Sequence, residues 1–113
     1  MGGDRETIGL TPEAQVTLGD LEARGWFSEG QDAARFALAY AIKSKVPTGD
    51  ASGTDTRWSA GNFDKTGEIR LLVTALYPGT ETPVRLMEYF VNEGLRLIAV
   101  RLSDSIGPGE LME

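Results

Sequence analysis

The chain has 113 residues, 41% of them hydrophobic and 25% charged, with a formal net charge of −6; this balance fits one soluble globular domain and excludes a disordered or membrane-embedded chain. It contains no Cys and no His, which removes disulfides, thiolate nucleophiles, imidazole bases and the usual zinc or haem ligands. What remains is carboxylate chemistry, a lone Ser or Lys nucleophile, or Mg²⁺ held by carboxylates.

The opening "MGGDRETIGL" has one Arg and no apolar block, so it is not a secretory signal, and no apolar run approaches the roughly 20 residues that span a bilayer. A cytoplasmic protein without membrane contact is expected. Residues 1 to 6 read as polar and mobile. Residues 7 to 10, "TIGL", read as a short strand with Ile8 and Leu10 on one face and Thr7 and Gly9 on the other.

A first helix follows in "TPEAQVTLGDLEARG". Thr11 caps it, Pro12 suits its first turn, Glu13 complements the dipole, and Gly25 stops it. Its stripe of Ala14, Leu18 and Leu21 is thin, so one face is buried. Ser28 and Gln31 form an S-x-x-Q capping box that starts a second helix at about Glu29 and carries it to Lys45. Ala33, Ala34, Phe36, Ala37, Leu38, Ala39, Tyr40, Ala41 and Ile42 leave that helix little polar surface. A helix apolar all round lies at the centre of its assembly, and in a chain this small a second copy is the expected cover, with Phe36, Ala37, Tyr40 and Ala41 as the interface.

Residues 46 to 63 form a linker rich in Gly, Ser, Thr and Asp, in which Trp58 is expected to tuck against the core. A helical pair then occupies 64 to 102. Asp64 or Thr66 caps its first member, whose stripe is Ile69, Leu72, Val73 and Leu76; "YPG" ends it. Thr82 and Pro83 start the second, with a regular stripe of Val84, Met87, Phe90, Val91, Leu95, Ile98 and Leu102. Gly94 inside it costs about 1 kcal/mol relative to Ala and marks a close helix crossing. Residues 103 to 113 read as a disordered tail of the single domain.

The order of strand, helix, glycine turn and very apolar helix over residues 7 to 45 resembles half of a ribbon-helix-helix fold, in which two chains pair their strands and wrap their helices into one core. The fold class expected is all-α, four helices with a short N-terminal strand, homo-oligomeric as a dimer or tetramer. The resemblance implies contact with double-stranded DNA: Arg5, Thr7 and Gly9 toward the major groove, and Ser28 and Glu29 at the helix start that holds a phosphate.

The wider order "LTPEAQVTLGDLEARGWFSEGQDAARFALAYAI", "TRW", "LLVTALYP" and "LMEYFVNEGLRLI" is similar to the small DndE proteins of DNA sulfur-modification (phosphorothioation) systems, over about residues 8 to 102. That resemblance implies a helical, oligomeric, non-enzymatic accessory of DNA modification or phage defence that meets DNA through surface lysines. Only Lys43, Lys45 and Lys65 are lysines here, and Lys43 and Lys45 are the candidates carried over. Their place at a helix C-terminus also suits the dipole.

Charge supports a different partner. Between Thr7 and Leu102 lie 10 basic and 12 acidic residues, so the body of the chain is near neutral: a strongly basic protein is excluded, while a local basic face stays open. Arg85, Arg96 and Arg101 on the last helix have Glu81, Glu88 and Glu93 within pairing reach, which describes a solvated face. Asp50, Asp55 and Asp64 match no metal-binding spacing, and no metal or cofactor is implied. The alternative to a DNA-associated protein is therefore an acidic adaptor that binds a partner protein.

Overall fold

The computed structural model describes residues 3–103. The elements, in chain order, are β1 (Thr7–Leu10), α1 (Pro12–Arg24), α2 (Gly30–Lys43), β2 (Asp55–Ser59), α3 (Ala60–Phe63), α4 (Glu68–Leu76) and α5 (Pro83–Leu102). Among the described residues the fold is mostly helical, with five helices rather than four and a small antiparallel sheet of β1 and β2. No helix among the described residues is long and apolar enough to cross a membrane. The disordered tail expected over 103 to 113 lies, from 104 onward, outside the described residues.

The axis of the molecule is α5, 20 residues long and thus about 30 Å from end to end. It packs against α2, α1, α4 and β1, and its Phe90, Val91, Leu95 and Ile98 have no exposed surface. The regular stripe works as the sequence suggests, because apolar residues every third or fourth position stack on one side of a helix. Its close partner is α2. A Cβ at Gly94 would overlap the carbonyl of Ala37 and lie 3.0 Å from its Cα, so the two backbones touch where Gly94 leaves room. The crossing expected of Gly94 is present.

That contact corrects the expected use of α2. Ala37 and Ala41 have no exposed surface within the single chain, and Tyr40 has only 7%; Phe36 is half-buried, its ring 5.5 Å from Phe27 and 6.4 Å from Tyr40. Cover for the apolar helix comes mainly from α5 of the same chain, so Ala37, Tyr40 and Ala41 are core positions and not a free interface, while Phe36 keeps part of its surface open. The helix is also shorter than expected. Glu29 takes the extended cap conformation and makes no side-chain cap bond, which leaves Ser28 one position too early for a capping box. At the other end the helix closes at Lys43 with Ser44 as its C-cap, and Lys45 adopts φ 60°, a left-handed conformation that cannot continue it.

The linker is corrected too. β2 and α3 lie within 46 to 63, and β2 runs antiparallel to β1, with Thr7 opposite Ser59 and Ile8 opposite Trp58. Trp58 is half-buried with its ring 5.9 Å from Phe63, as expected of a large aromatic in such a stretch. Strand periodicity was hard to see here because only Trp58 of the five β2 residues reaches the core side; the other four are exposed.

Caps separate the two ends of the chain in sequence but join them in space. Thr11 Oγ1 accepts from Ala14 N at 3.1 Å and Gly25 takes φ 73°, both as expected of α1. Asp64 caps α4 with both oxygens, accepting from Ile69 N at 3.0 Å and Arg70 N at 2.9 Å, and Thr66 Oγ1 accepts from Glu68 N at 3.3 Å. Thr82 makes no side-chain cap on α5. Asp4 does so instead, its carboxylate accepting from Val84 N at 2.8 Å and Arg85 N at 2.9 Å. Residues 3 to 6 are thereby fastened, not mobile.

The crossing predicts the behaviour of a minimal variant. Gly94→Ala, normally favourable in a helix, is expected to destabilise the fold by about 2 to 3 kcal/mol because the added methyl must push the helix backbones apart. Urea unfolding measures it; unchanged stability would place α2 and α5 farther apart than described.

Candidate functional site

The residues proposed to enter a DNA groove are engaged within the chain. Gly9 is buried, with its N–H donating to Glu88 Oε2 at 2.8 Å and its carbonyl accepting from Asn92 Nδ2 at 3.0 Å. A Cβ there would come within 3.0 Å of Glu88 Oε2 and 2.9 Å of the Asp55 carbonyl, so the position needs glycine. Arg5 Nε lies 3.1 Å from Glu88 Oε1, an ion pair whose N–H is not aligned for a hydrogen bond. Thr7 shares a 3.5 Å hydroxyl contact with Thr56. One edge of β1 is thus taken by β2 and the other by side chains of α5. The expectation that this strand must find its partner in a second chain is corrected.

Glu88 and Asn92 are the polar residues that sequence reasoning missed. Glu88 is 1% exposed and Asn92 6%. Glu88 also accepts from Thr54 Oγ1 at 3.3 Å; Asn92 Oδ1 accepts from Thr11 N at 2.9 Å, and its amide donates to Glu88 O at 2.8 Å. Buried polar atoms are tolerated only when paired in this way. Positions 88 and 92 lie one turn apart beside the apolar stripe, which was the available signal. Glu88 points inward to Arg5, so it does not join the solvated pairs expected on α5; Arg85 Nε meets Gly3 O at 3.3 Å instead. Arg96 does pair with Glu93 at 2.8 Å, and hydrogen bonding and charge from Glu93 raise the Arg96 guanidinium above its ordinary value.

The remaining candidates sit at the two ends of α2. Ser28 and Glu29 are exposed before its first turn. Lys43 and Lys45 are exposed at its last turn and have no ion-pair partner among the described residues. The structure therefore separates them from Arg5 and Thr7 and gathers no single basic face from the five. The other arginines are largely committed: Arg24 to Asp20 at 3.2 Å, Arg35 to Asp32 at 2.9 Å and Arg57 to Glu22 at 3.7 Å. Each of these three also stacks on an aromatic ring, Trp26, Phe63 and Trp58 respectively, at 5.2 to 5.7 Å. Arg57 is the extra residue at a register shift, between the Ile8–Trp58 and Gly9–Thr56 pairs, and such a bulge turns its side chain outward.

Two surface features were not foreseen. Helix α4 buries Val73 and half-buries Ile69, but Leu71, Leu72 and Leu76 are 69%, 47% and 49% exposed. The periodicity places Leu72 and Leu76 on the core-facing stripe, and their exposure corrects this. In a nine-residue helix the stripe is wider than the contact with α5, so part of it stays outside. Beyond the end of α4, a cleft of about 470 Å³ opens between the 48–50 loop and residues 77–82, with Leu86 of α5 also lining it. Asp50 lines it, whereas Asp55 is on β2 and Asp64 caps α4. Among the described residues no three acidic side chains converge as a metal site.

Compared with known protein families, curated proteins and solved structures, the chain shows no match.

The clamp on β1 predicts a graded pair of variants. Glu88→Gln retains an oxygen for Gly9 N–H and is expected to cost less than Glu88→Ala, which leaves that donor and the Arg5 charge without a partner and costs about 2 to 3 kcal/mol. Chemical denaturation compares them. Equal, small losses would show that Glu88 does not hold the strand.

Proposed function

We propose that the chain is a non-enzymatic interaction module that docks a basic, apolar segment of a partner polypeptide on α4. The observation that carries this reading is the exposure of Leu71, Leu72 and Leu76 on one short helix. Single exposed apolar residues such as Val16 and Val100 are ordinary, but three within six positions form a contiguous patch of the kind that marks interaction sites. A net charge of −6 favours a basic partner and opposes the approach of a second acidic copy. The absence of His and Cys from the sequence, with Asp64 and Glu88 engaged in structural bonds, supports the non-enzymatic part.

A second reading keeps the DNA association of a DndE-like accessory or a ribbon-helix-helix regulator. It is favoured by Lys43 and Lys45, which are exposed and unpaired among the described residues and so available to phosphate. A groove-reading role for β1 would require the strand to leave both β2 and α5, at the cost of its edge hydrogen bonds.

Selection from a random helical peptide library tests the first reading. Enriched peptides are expected to combine a Leu or Ile stripe with Lys or Arg, and to lose at least tenfold in affinity against Leu71→Ser/Leu72→Ser, whose exposed positions leave stability within about 0.5 kcal/mol. Failure to enrich, or binding indifferent to the substitutions, overturns it. Light scattering that finds two chains, split by Leu72→Glu, would give the face to a second copy instead. Fluorescence anisotropy with intact and nicked duplex addresses the second reading. Affinity that falls steeply with salt and drops in Lys43→Glu/Lys45→Glu would support it over the first.

A further inference from the structure

The cleft beside α4 carries a ligand preference of its own. Among the described residues, Asp50 is the one charged group on its lining, and that carboxylate has no hydrogen-bond or ion-pair partner among them. Tyr77 forms the opposite wall, its ring held 5.3 Å from Phe90 and its carbonyl accepting from Thr80 N at 3.1 Å, which closes the turn. Thr48 and Thr82 add hydroxyl acceptors, and Leu86 supplies an apolar surface.

The wall that presents Asp50 is positioned rather than loose. Gly49 lies against the Tyr89 ring so closely that a Cβ there would sit 2.8 Å from Tyr89 Cζ. Tyr89 in turn packs 6.0 Å from Phe90, the same core ring that supports Tyr77. Both walls therefore rest on one residue of α5. A volume of about 470 Å³ lies within the range of small-molecule sites, which combine apolar surface with a few polar groups that set orientation.

We infer that this cleft binds an organic cation, an ammonium or guanidinium group on a short apolar stem. Asp50 accepts the charged donors, the hydroxyls of Thr48 and Thr82 take the remaining N–H groups, and the Tyr77 ring and Leu86 cover the stem. A carboxylate or phosphate ligand would meet Asp50 with like charge and find no cation on the lining. The acidic balance of the whole chain raises the local concentration of cations in the same sense. The same head group occurs in a free small amine and in a Lys or Arg side chain of a polypeptide. Neither source requires the leucine face of α4.

Amide chemical-shift titration of the full chain tests this with n-butylammonium and agmatine as free cations, the N-acetyl N-methylamides of lysine and arginine as side-chain probes, and butyrate as the anionic control. Saturable shifts are expected at Gly49, Asp50, Gly79 and Thr80 with the cations and not with butyrate. Asp50→Asn, an exposed and near-isosteric change, is expected to weaken binding at least fivefold, and Tyr77→Leu to weaken it further. Leu72→Ser is expected to leave it unchanged, which keeps this outcome separate from failure of the peptide-docking reading. Tighter binding of agmatine and butylammonium assigns the site to a free amine; tighter binding of the capped amino acids assigns it to a polypeptide side chain. Shifts that do not saturate, that butyrate reproduces, or that survive Asp50→Asn overturn the inference.

Discussion

A two-stranded ribbon is marginal in water unless its outer edge and one face are covered, and here α5 does both. Glu88 and Asn92 present a carboxylate and an amide one helical turn apart, and between them they meet the N–H and the carbonyl of Gly9. The helix in effect substitutes for a third strand at that residue. Because the Glu88 carboxylate is buried, it requires compensation, and it is supplied by Gly9 of β1 itself, by Arg5 before the strand and by Thr54 beyond it. The same requirement explains why the N-terminal residues are fixed: Asp4 caps α5 while Arg5 pairs with it. Strand, loop and terminus are thus held by one stretch of helix.

The sheet's dependence on α5 clarifies which parts of the fold were legible in sequence. Helix caps and stops that rely on local geometry, such as Thr11 and Gly25 around α1, could be read because the atoms involved are within four residues. Gly94 was readable for a related reason: a glycine inside an otherwise regular stripe has a packing cause more often than a local one. Contacts across about 80 residues, Asp4 to Val84 and Gly9 to Glu88, leave no periodic trace. Glu88 reads as one more solvated acid until a strand is placed beside it. β2 was hidden because four of its five residues face solvent and its bulge at Arg57 breaks the alternation on which strand recognition rests.

The misreading of α2 has a specific physical origin. Its all-round apolarity requires cover, and α5 of the same chain supplies much of it. At Gly94 the α5 backbone reaches the Ala37 backbone of α2, closer than an ordinary crossing, where side chains hold axes 8 to 10 Å apart. Alanines make α2 narrow as well as apolar, so a narrow helix next to a glycine needs less surrounding mass to be buried. The apolar surface in excess of the core consequently appears elsewhere, on α4, where a nine-residue helix is too short to turn every leucine inward.

Candidate sites follow from how charge is distributed over this framework. Five arginines are each matched to a carboxylate, so their contribution to any external field is largely cancelled at short range, although exposed pairs of this kind add little stability. Lys43, Lys45, Lys65 and Arg70 have no carboxylate partner among the described residues, and Asp50 has no partner in its cleft. A polyanion must therefore be met by these four side chains against the field of an acidic chain, whereas a cation entering the cleft meets an unneutralised carboxylate with that field in its favour. Long-range attraction and local chemistry point the same way only for the cationic ligand, and this agreement, rather than the size of any one charge, separates the cleft from the lysine pair.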